Sequence, residues 1–182
     1  LKYSDDGVRD VLKGILIPLW NSYSFFITYA NIDGIQITDN VFENSTPTNP
    51  LDRWLLSITQ KLIKDVTDAM DAYDLSKAID PIVSYIDQLN NWYIRRSRRR
   101  FWKSESDTDK TEAYQSLYHA LKTFAKVAAP VIPFITETMW QNLRINSDPI
   151  SVHLADYPVY NESVRDEEIE FKMDTVQKAV SM

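Results

Sequence analysis

The chain is predicted to be all-α, a helical bundle of four to five helices with a short extended C-terminal segment. Apolar residues recur at three- and four-residue spacing through most of the chain, and capping residues stand where those stripes begin. Only 3 glycines occur in 182 residues, which argues against a turn-rich β architecture and against glycine-rich phosphate loops. The apolar content of 44% and aromatic content of 12% are those of a chain that buries a core.

Residues 5–30 read as the first amphipathic helix. Ser4 or Asp5 caps it, and Val8, Leu12, Ile15, Leu19, Tyr23, Phe26 and Ala30 form its stripe. Pro18 lacks an N–H and is expected to kink or divide it. Residues 31–49 form a polar connector. Asn49 as N-cap, Pro50 at the first position and Asp52 at the third then make a capping arrangement. The stripe that follows is Leu51, Leu55, Ile58, Leu62, Val66, Ala69 and Tyr73, with a break at Tyr73 and Asp74.

Asp74 caps the next helix, whose stripe is Leu75, Ile79, Ile82, Ile86, Leu89 and Tyr93. Pro81 predicts a kink or a start displaced to about Asp80. After a polar loop at 103–109, a helix runs from about Thr108 to Ala128 on Ala113, Leu117, Leu121, Phe124 and Ala128. Pro130 and Pro133 interrupt it and restart a short helix through Leu143, with Phe134, Thr138 and Met139 or Trp140 facing inward. Residues 150–154 alternate like an extended segment ended by Pro158, and residues 161–182 are acidic, then weakly helical.

The chain has no cysteine, so disulfides, thiolate metal sites and cysteine nucleophiles are excluded. No apolar run reaches the roughly 20 residues of a membrane span. The first residue is Leu1, and the chain reads as a piece of a longer polypeptide from the cytoplasm. His119 and His153 stand alone, the first read as a surface residue and the second as a buried structural hydrogen-bonding group. No metal-ligand spacing, nucleophile triad, P-loop or dinucleotide fingerprint appears. Catalytic and metal residues are therefore both read as none.

The segment NWYIRRSRRRFW, residues 91–102, carries the functional signal. Five arginines fall within six residues, flanked by Trp92 and Trp102. The window 88–104 holds six cations and no acid, whereas 14 Lys and Arg against 26 Asp and Glu leave the rest of the chain at −12. Such a window is where a polyanion can approach. Guanidinium forks suit phosphates and tryptophan suits unstacked bases, a combination that suits RNA with unstacked bases better than a smooth duplex. The competing reading is a solvated charge run, or structural ion pairs at a helix C-terminus where cations complement the dipole.

That segment resembles the hallmark of the anticodon-binding region of isoleucyl-tRNA synthetases, which are class I aminoacyl-tRNA synthetases. Further segments resemble the same family in order: residues 9–31 its helix after the catalytic signature loop, LDRWLLS (51–57) the opening of the bundle, YDLSKAIDPI (73–82) and APVIPFITETMW (129–140) its second and last helices, and SVHLADYP (151–158) the stretch after the bundle. The resemblance implies a helix and connector at 1–48, an anticodon-binding bundle at 49–145, and at 146–182 the extended segment and the start of a C-terminal region. The parent enzyme would use ATP and Mg2+ to attach isoleucine to its tRNA, with the catalytic and editing domains and a KMSKS-like loop upstream of Leu1.

The implied partners are the anticodon stem-loop of tRNA and the catalytic and C-terminal domains of the same polypeptide, with no membrane, no DNA and no cofactor in this piece. The expected tRNA-binding residues are Asn91, Arg95, Arg96, Arg98, Arg99, Arg100, Trp102 and Lys103. Outward arginines would meet phosphates, while one or two bond helix carbonyls or acids such as Glu105 or Asp107. Trp102, with Phe101 as a second candidate, would stack on a base or ribose. Asn91 reads a base edge or bonds locally, and Trp92 and Tyr93 anchor the core. A valine- or leucine-type synthetase module is one alternative, and a helical protein-interaction domain with a basic patch is another. This chain by itself is expected to show no isoleucine-dependent exchange of pyrophosphate into ATP, and reproducible exchange above background would overturn that reading.

Overall fold

A computed structural model of the chain describes residues 4–37, 42, 46–102 and 107–181. Among them it contains helices α1 (Asp5–Val11), α2 (Ile17–Asp33), α3 (Pro50–Asp71), α4 (Leu75–Asp87), α5 (Arg95–Trp102), α6 (Asp107–Ala128), α7 (Pro133–Leu143) and α8 (Glu167–Ser181), and no strand. A π-helical segment, Leu12–Leu16, joins α1 to α2, and a second, Gln88–Ile94, joins α4 to α5.

The first π segment is where Pro18 acts. Its ring crowds the carbonyl one turn earlier and it offers no amide, so the helix widens before Pro18 and resumes as α2. Only the second half of the expected stripe is buried. Leu19, Tyr23 and Phe26 lie in the core, whereas Val8 and Leu12 are exposed. The helix runs past Ala30 and closes at Gly34, whose φ of 60° is the left-handed conformation that glycine adopts without strain.

At the start of α3 the Asn49 side chain accepts the Leu51 amide at 3.0 Å, with Pro50 in the first turn, as the sequence implies. Asp52 does not complete a cap, however. It is wholly buried and bonded elsewhere. Leu55, Ile58, Leu62, Val66 and Ala69 are in the core, but Tyr73 is 92% exposed. Tyr73 stands beyond the helix with a φ of 57°, which turns its side chain outward. Asp74 caps α4 through the Lys77 amide at 3.1 Å, so the helix starts at Leu75 and carries Pro81 inside it instead of starting near Asp80.

The face of α4 follows the predicted stripe only in part, with Ile82 and Ile86 inward as expected. Ala78, Ile82, Tyr85 and Ile86 are buried, while Leu75 and Ile79 are exposed. The hydroxyls of Tyr85 and Thr59 lie 2.7 Å apart in the core, and the Tyr85 ring stacks on Phe124 at 5.7 Å. Those contacts turn the Tyr85 side of the helix inward.

Helix α6 is the axis of the bundle. Ala113, Leu117, Leu121, Phe124 and Ala128 are buried as the stripe requires, and so are Tyr114, Ala120 and Val127 on its other sides. It packs against α2, α3, α5 and α7. On α7, Thr136, Met139 and Trp140 face α6, whereas Phe134 is 89% exposed and Thr138 is exposed, contrary to the sequence reading. The expected extended stretch at 150–154 is a 3-10 turn, Val152–Leu154. The Glu137 carboxylate accepts the Val152 amide at 3.0 Å and the Ser151 hydroxyl at 2.9 Å, so a side chain takes the place of a partner strand. His153 is exposed, not buried.

Residues 157–166 return along α3. Gln60 accepts the Asn161 amide at 2.9 Å, and Ser57 accepts the Asp166 amide at 2.8 Å where α8 begins. Trp54 lies at the centre of α3's inner face, 2% exposed. Trp54→Ala is expected to cost roughly 3–5 kcal/mol in a denaturant titration, as for other large aromatic truncations in cores; a loss below about 1 kcal/mol would remove Trp54 from the core.

Candidate nucleic-acid interface

Helix α4, the second π segment and α5 form one rod from Leu75 to Trp102. On α5 only Ser97 and Phe101 are buried. Phe101 meets Tyr114 edge-on at 4.8 Å and Phe25 edge-on at 5.1 Å, which makes it a core residue and removes it as a stacking candidate. With that face inward, helical spacing sends Arg95, Arg98, Arg99 and Trp102 to solvent. All four are exposed, Trp102 by 55%, and its ring leans on Tyr29 at 6.2 Å. The Arg96 guanidinium lies over the half-buried Trp92 ring, 5.0 Å from its centre. No ion pair among the described residues engages Arg95, Arg96, Arg98 or Arg99.

Arg100 points the other way. Its Nη1 and Nη2 donate to the two Asp52 oxygens at 2.7 Å each. Nε and Nη2 donate to the Asp109 carboxylate at 2.9 and 2.7 Å, and Nη2 also reaches the Asp109 carbonyl at 3.0 Å. The Arg100 side chain is 12% exposed and that of Asp52 is 0% exposed. Arg100 is thus engaged mainly by Asp52 and Asp109, on the inner side of the rod, away from the exposed face that carries Arg95, Arg98 and Arg99.

Tyr93, also in the core, donates its hydroxyl to Asp52 at 2.6 Å, and Asn49 donates to Asp109 at 3.3 Å. The charges suit their positions: Asp52 and Asp109 lie in the first turns of α3 and α6, and Arg100 in the last turn of α5. Burial alone would loosen the Arg100 proton, but its bonds to Asp52 and Asp109 hold it above the ordinary arginine range. Arg100 in turn keeps the Asp109 carboxyl below its ordinary value against the opposing effect of burial. Burial, reinforced by Asp52, pushes the Tyr93 hydroxyl well up.

Of the other expected contacts, Asn91 is exposed and donates to Asp87 at 2.6 Å, and Lys103 lies outside the described residues. His119 sits on α6 with its ring edge-on to Phe42. Asp52, Asp109 and Tyr93 were not expected in this site. Their signal in the sequence is faint, an acid in the first turn of each of two helices, and a terminus effect accounts for it equally well. Among the described residues no group of three or more His, Asp or Glu converges to hold a metal ion, and no helix is long and apolar enough to cross a membrane.

The profile of the anticodon-binding domain of tRNA ligase matches residues 52–182, from Asp52 through the arginine rod to the end of the chain. The chain belongs to this family. Over its full length this anticodon-binding domain is 66% identical to the isoleucine–tRNA ligase of Treponema denticola and 60% to that of Treponema pallidum. It is 45% identical to the isoleucine–tRNA ligase of Protochlamydia amoebophila. It spans only 17–18% of the length of these relatives. Among solved structures it is similar to the LeuRS agnB2 of Agrobacterium radiobacter K84, crystallised in a ternary complex with tRNA and LeuAMS. The TM-score is 0.62 at 18% identity, covering 91% of this chain and 18% of that one, a likeness of fold.

The depressed carboxyl of Asp109 in the anticodon-binding domain gives a pH dependence with a definite sign. Its folded pKa lies below the unfolded one, so its contribution is present above about pH 4 and is lost as pH falls through the folded value. Asp166 behaves alike, held down first by the Ile169 amide and then by Arg53. The urea midpoint is therefore expected to stay level from pH 7 to about pH 5 and to fall below about pH 4, with Asp109→Asn showing a smaller fall. An equal acid loss in that variant would remove Asp109 from the cause.

Proposed function

We propose that this chain is the tRNA-binding module of an isoleucine–tRNA ligase, and that it grips the anticodon arm through the outer face of α5. The complete enzyme would join isoleucine to its tRNA with ATP and Mg2+ in the cytoplasm, and both would be handled by parts beyond this chain. The supporting observation is the arginine face itself: Arg95, Arg98 and Arg99 exposed and without an ion pair among the described residues, beside an exposed Trp102, on a body that otherwise carries −12. The names of the isoleucine-type relatives favour isoleucine over valine or leucine.

Each step follows from side-chain chemistry. The three guanidinium groups approach phosphate oxygens with paired donors and displace condensed counterions. Arg96, over the Trp92 ring, extends the cationic edge. Trp102, propped by Tyr29, offers a ring face on which an unpaired base stacks at little cost in side-chain entropy. Two exposed apolar groups support contacts with other parts of the same polypeptide: Val11, Leu12 and Trp20, spread over α1, the first π segment and α2, and Phe171, Val176 and Val180 on α8.

Replacing Arg98 and Arg99 together with Gln is expected to weaken binding of all tRNAs similarly. The slope of log affinity against log salt should fall by roughly 0.7–0.9 per arginine. Trp102→Ala is expected to cost roughly 1–3 kcal/mol with little change in slope. Unchanged affinity and slope in the double variant would defeat the RNA reading of this face. Capture of an acidic protein by the same face, with tRNA ignored, would favour a protein-interaction domain.

A further inference from the structure

Helix α5 has few apolar anchors of its own. Ser97 and Phe101 are its buried residues, while Arg95, Arg96, Arg98 and Arg99 crowd its outer side and repel one another. Asp52 grips the rod at two points, through the Tyr93 hydroxyl at 2.6 Å and the Arg100 fork at 2.7 Å. These lie about two helical turns apart along one side of the rod. Two grips at that spacing fix the rotation of the rod, where a single grip would fix only its distance. Asp109 closes the fork from α6, so three helices meet at one guanidinium.

We propose that Asp52, Arg100 and Asp109 form a positioning device for RNA binding. They set the rotational phase of α5, and so aim Arg95, Arg98, Arg99 and Trp102 at a single ligand face, without touching RNA themselves. The inference rests on the anticodon-arm reading above. Asp109 places a negative charge beneath the basic face, so by electrostatics its neutralisation should tighten binding of a polyanion. If the device works by position, the same change loosens binding.

The test uses this chain, its Asp109→Asn and Arg100→Lys variants, and an isoleucine tRNA transcript, titrated between 50 and 200 mM salt on the order of the range where such slopes are read. The temperature is one at which circular dichroism shows each variant as folded as the parent. Asp109→Asn is expected to bind roughly tenfold more weakly, or about 1.4 kcal/mol, despite its added positive charge. Arg100→Lys keeps the charge, loses the fork, and is expected to weaken binding likewise. It also decides the matter should Asp109→Asn fail to fold. Equal or tighter binding by folded Asp109→Asn would overturn the proposal. So would a slope steeper by about 0.7–0.9, because Arg100 would then have been released to a phosphate. The Arg98 and Arg99 double variant separates the two readings. If it leaves binding unchanged, the anticodon-arm reading falls; if it weakens binding while Asp109→Asn and Arg100→Lys do not, only the positioning device falls.

Discussion

A paired charge held entirely out of water sets the terms for the rest of this bundle. Removing the Asp52 carboxylate from solvent is costly unless every lone pair that faces protein finds a donor. Arg100 supplies two donors and Tyr93 a third, and the N-terminus of α3 adds a favourable field. The demand propagates outward. Asn49 and Pro50 start α3 at the residue that brings Asp52 to the right height, and Phe101, beside Arg100, is carried between Phe25 and Tyr114. Losing one member of such a pair typically costs about 3–5 kcal/mol because the other is left charged and dry.

Electrostatics divides the molecule into two unlike regions. Away from the arginine face, several cations are tied to nearby acids: Lys110 to Asp33 at 2.7 Å, Lys122 to Asp148 at 2.7 Å, Arg53 to Asp166 at 2.8 Å. These pairs neutralise themselves and offer little to a polyanion. On the outer face of α5 the guanidinium groups have no such counterpart among the described residues. An approaching nucleic acid is repelled by most of the surface and drawn to one strip of it.

The sequence made some parts of this arrangement legible and hid others for definable reasons. Helix α6 could be read because its residues are buried on nearly every side, so any apolar stripe drawn along it is correct. The caps at Asn49 and Asp74 could be read because they depend on neighbours within three residues. The inner face of α4 could be read from Ile82 onward but not in its first turn, and the inward turn of Tyr85 follows from a hydroxyl contact with Thr59, remote in sequence. Phe134 looked like core and is surface; residues 150–154 alternated like a strand, yet a carboxylate from α7 holds them in a turn. In the site, the arginine run was visible, but which arginine turned inward was not. That choice belongs to Asp52 and Asp109, which the sequence leaves looking like ordinary first-turn acids.

Helix α8 is fastened at one end. Asp166 and Glu170 meet Ser57, Arg53 and Arg165, and Ile169 and Met173 pack against the core, whereas Phe171, Val176 and Val180 are exposed. Amide hydrogen exchange should therefore grade along the helix, slow near Ile169 and Glu170 and approaching the free-peptide rate toward Val180. The Arg53 and Asp166 side chains are partly solvated, so added salt weakens that fastening more than it weakens the buried core. Opening of α8 therefore starts at its exposed turns near Val180 and reaches the Asp166 fastening last, and that last step responds to ionic strength.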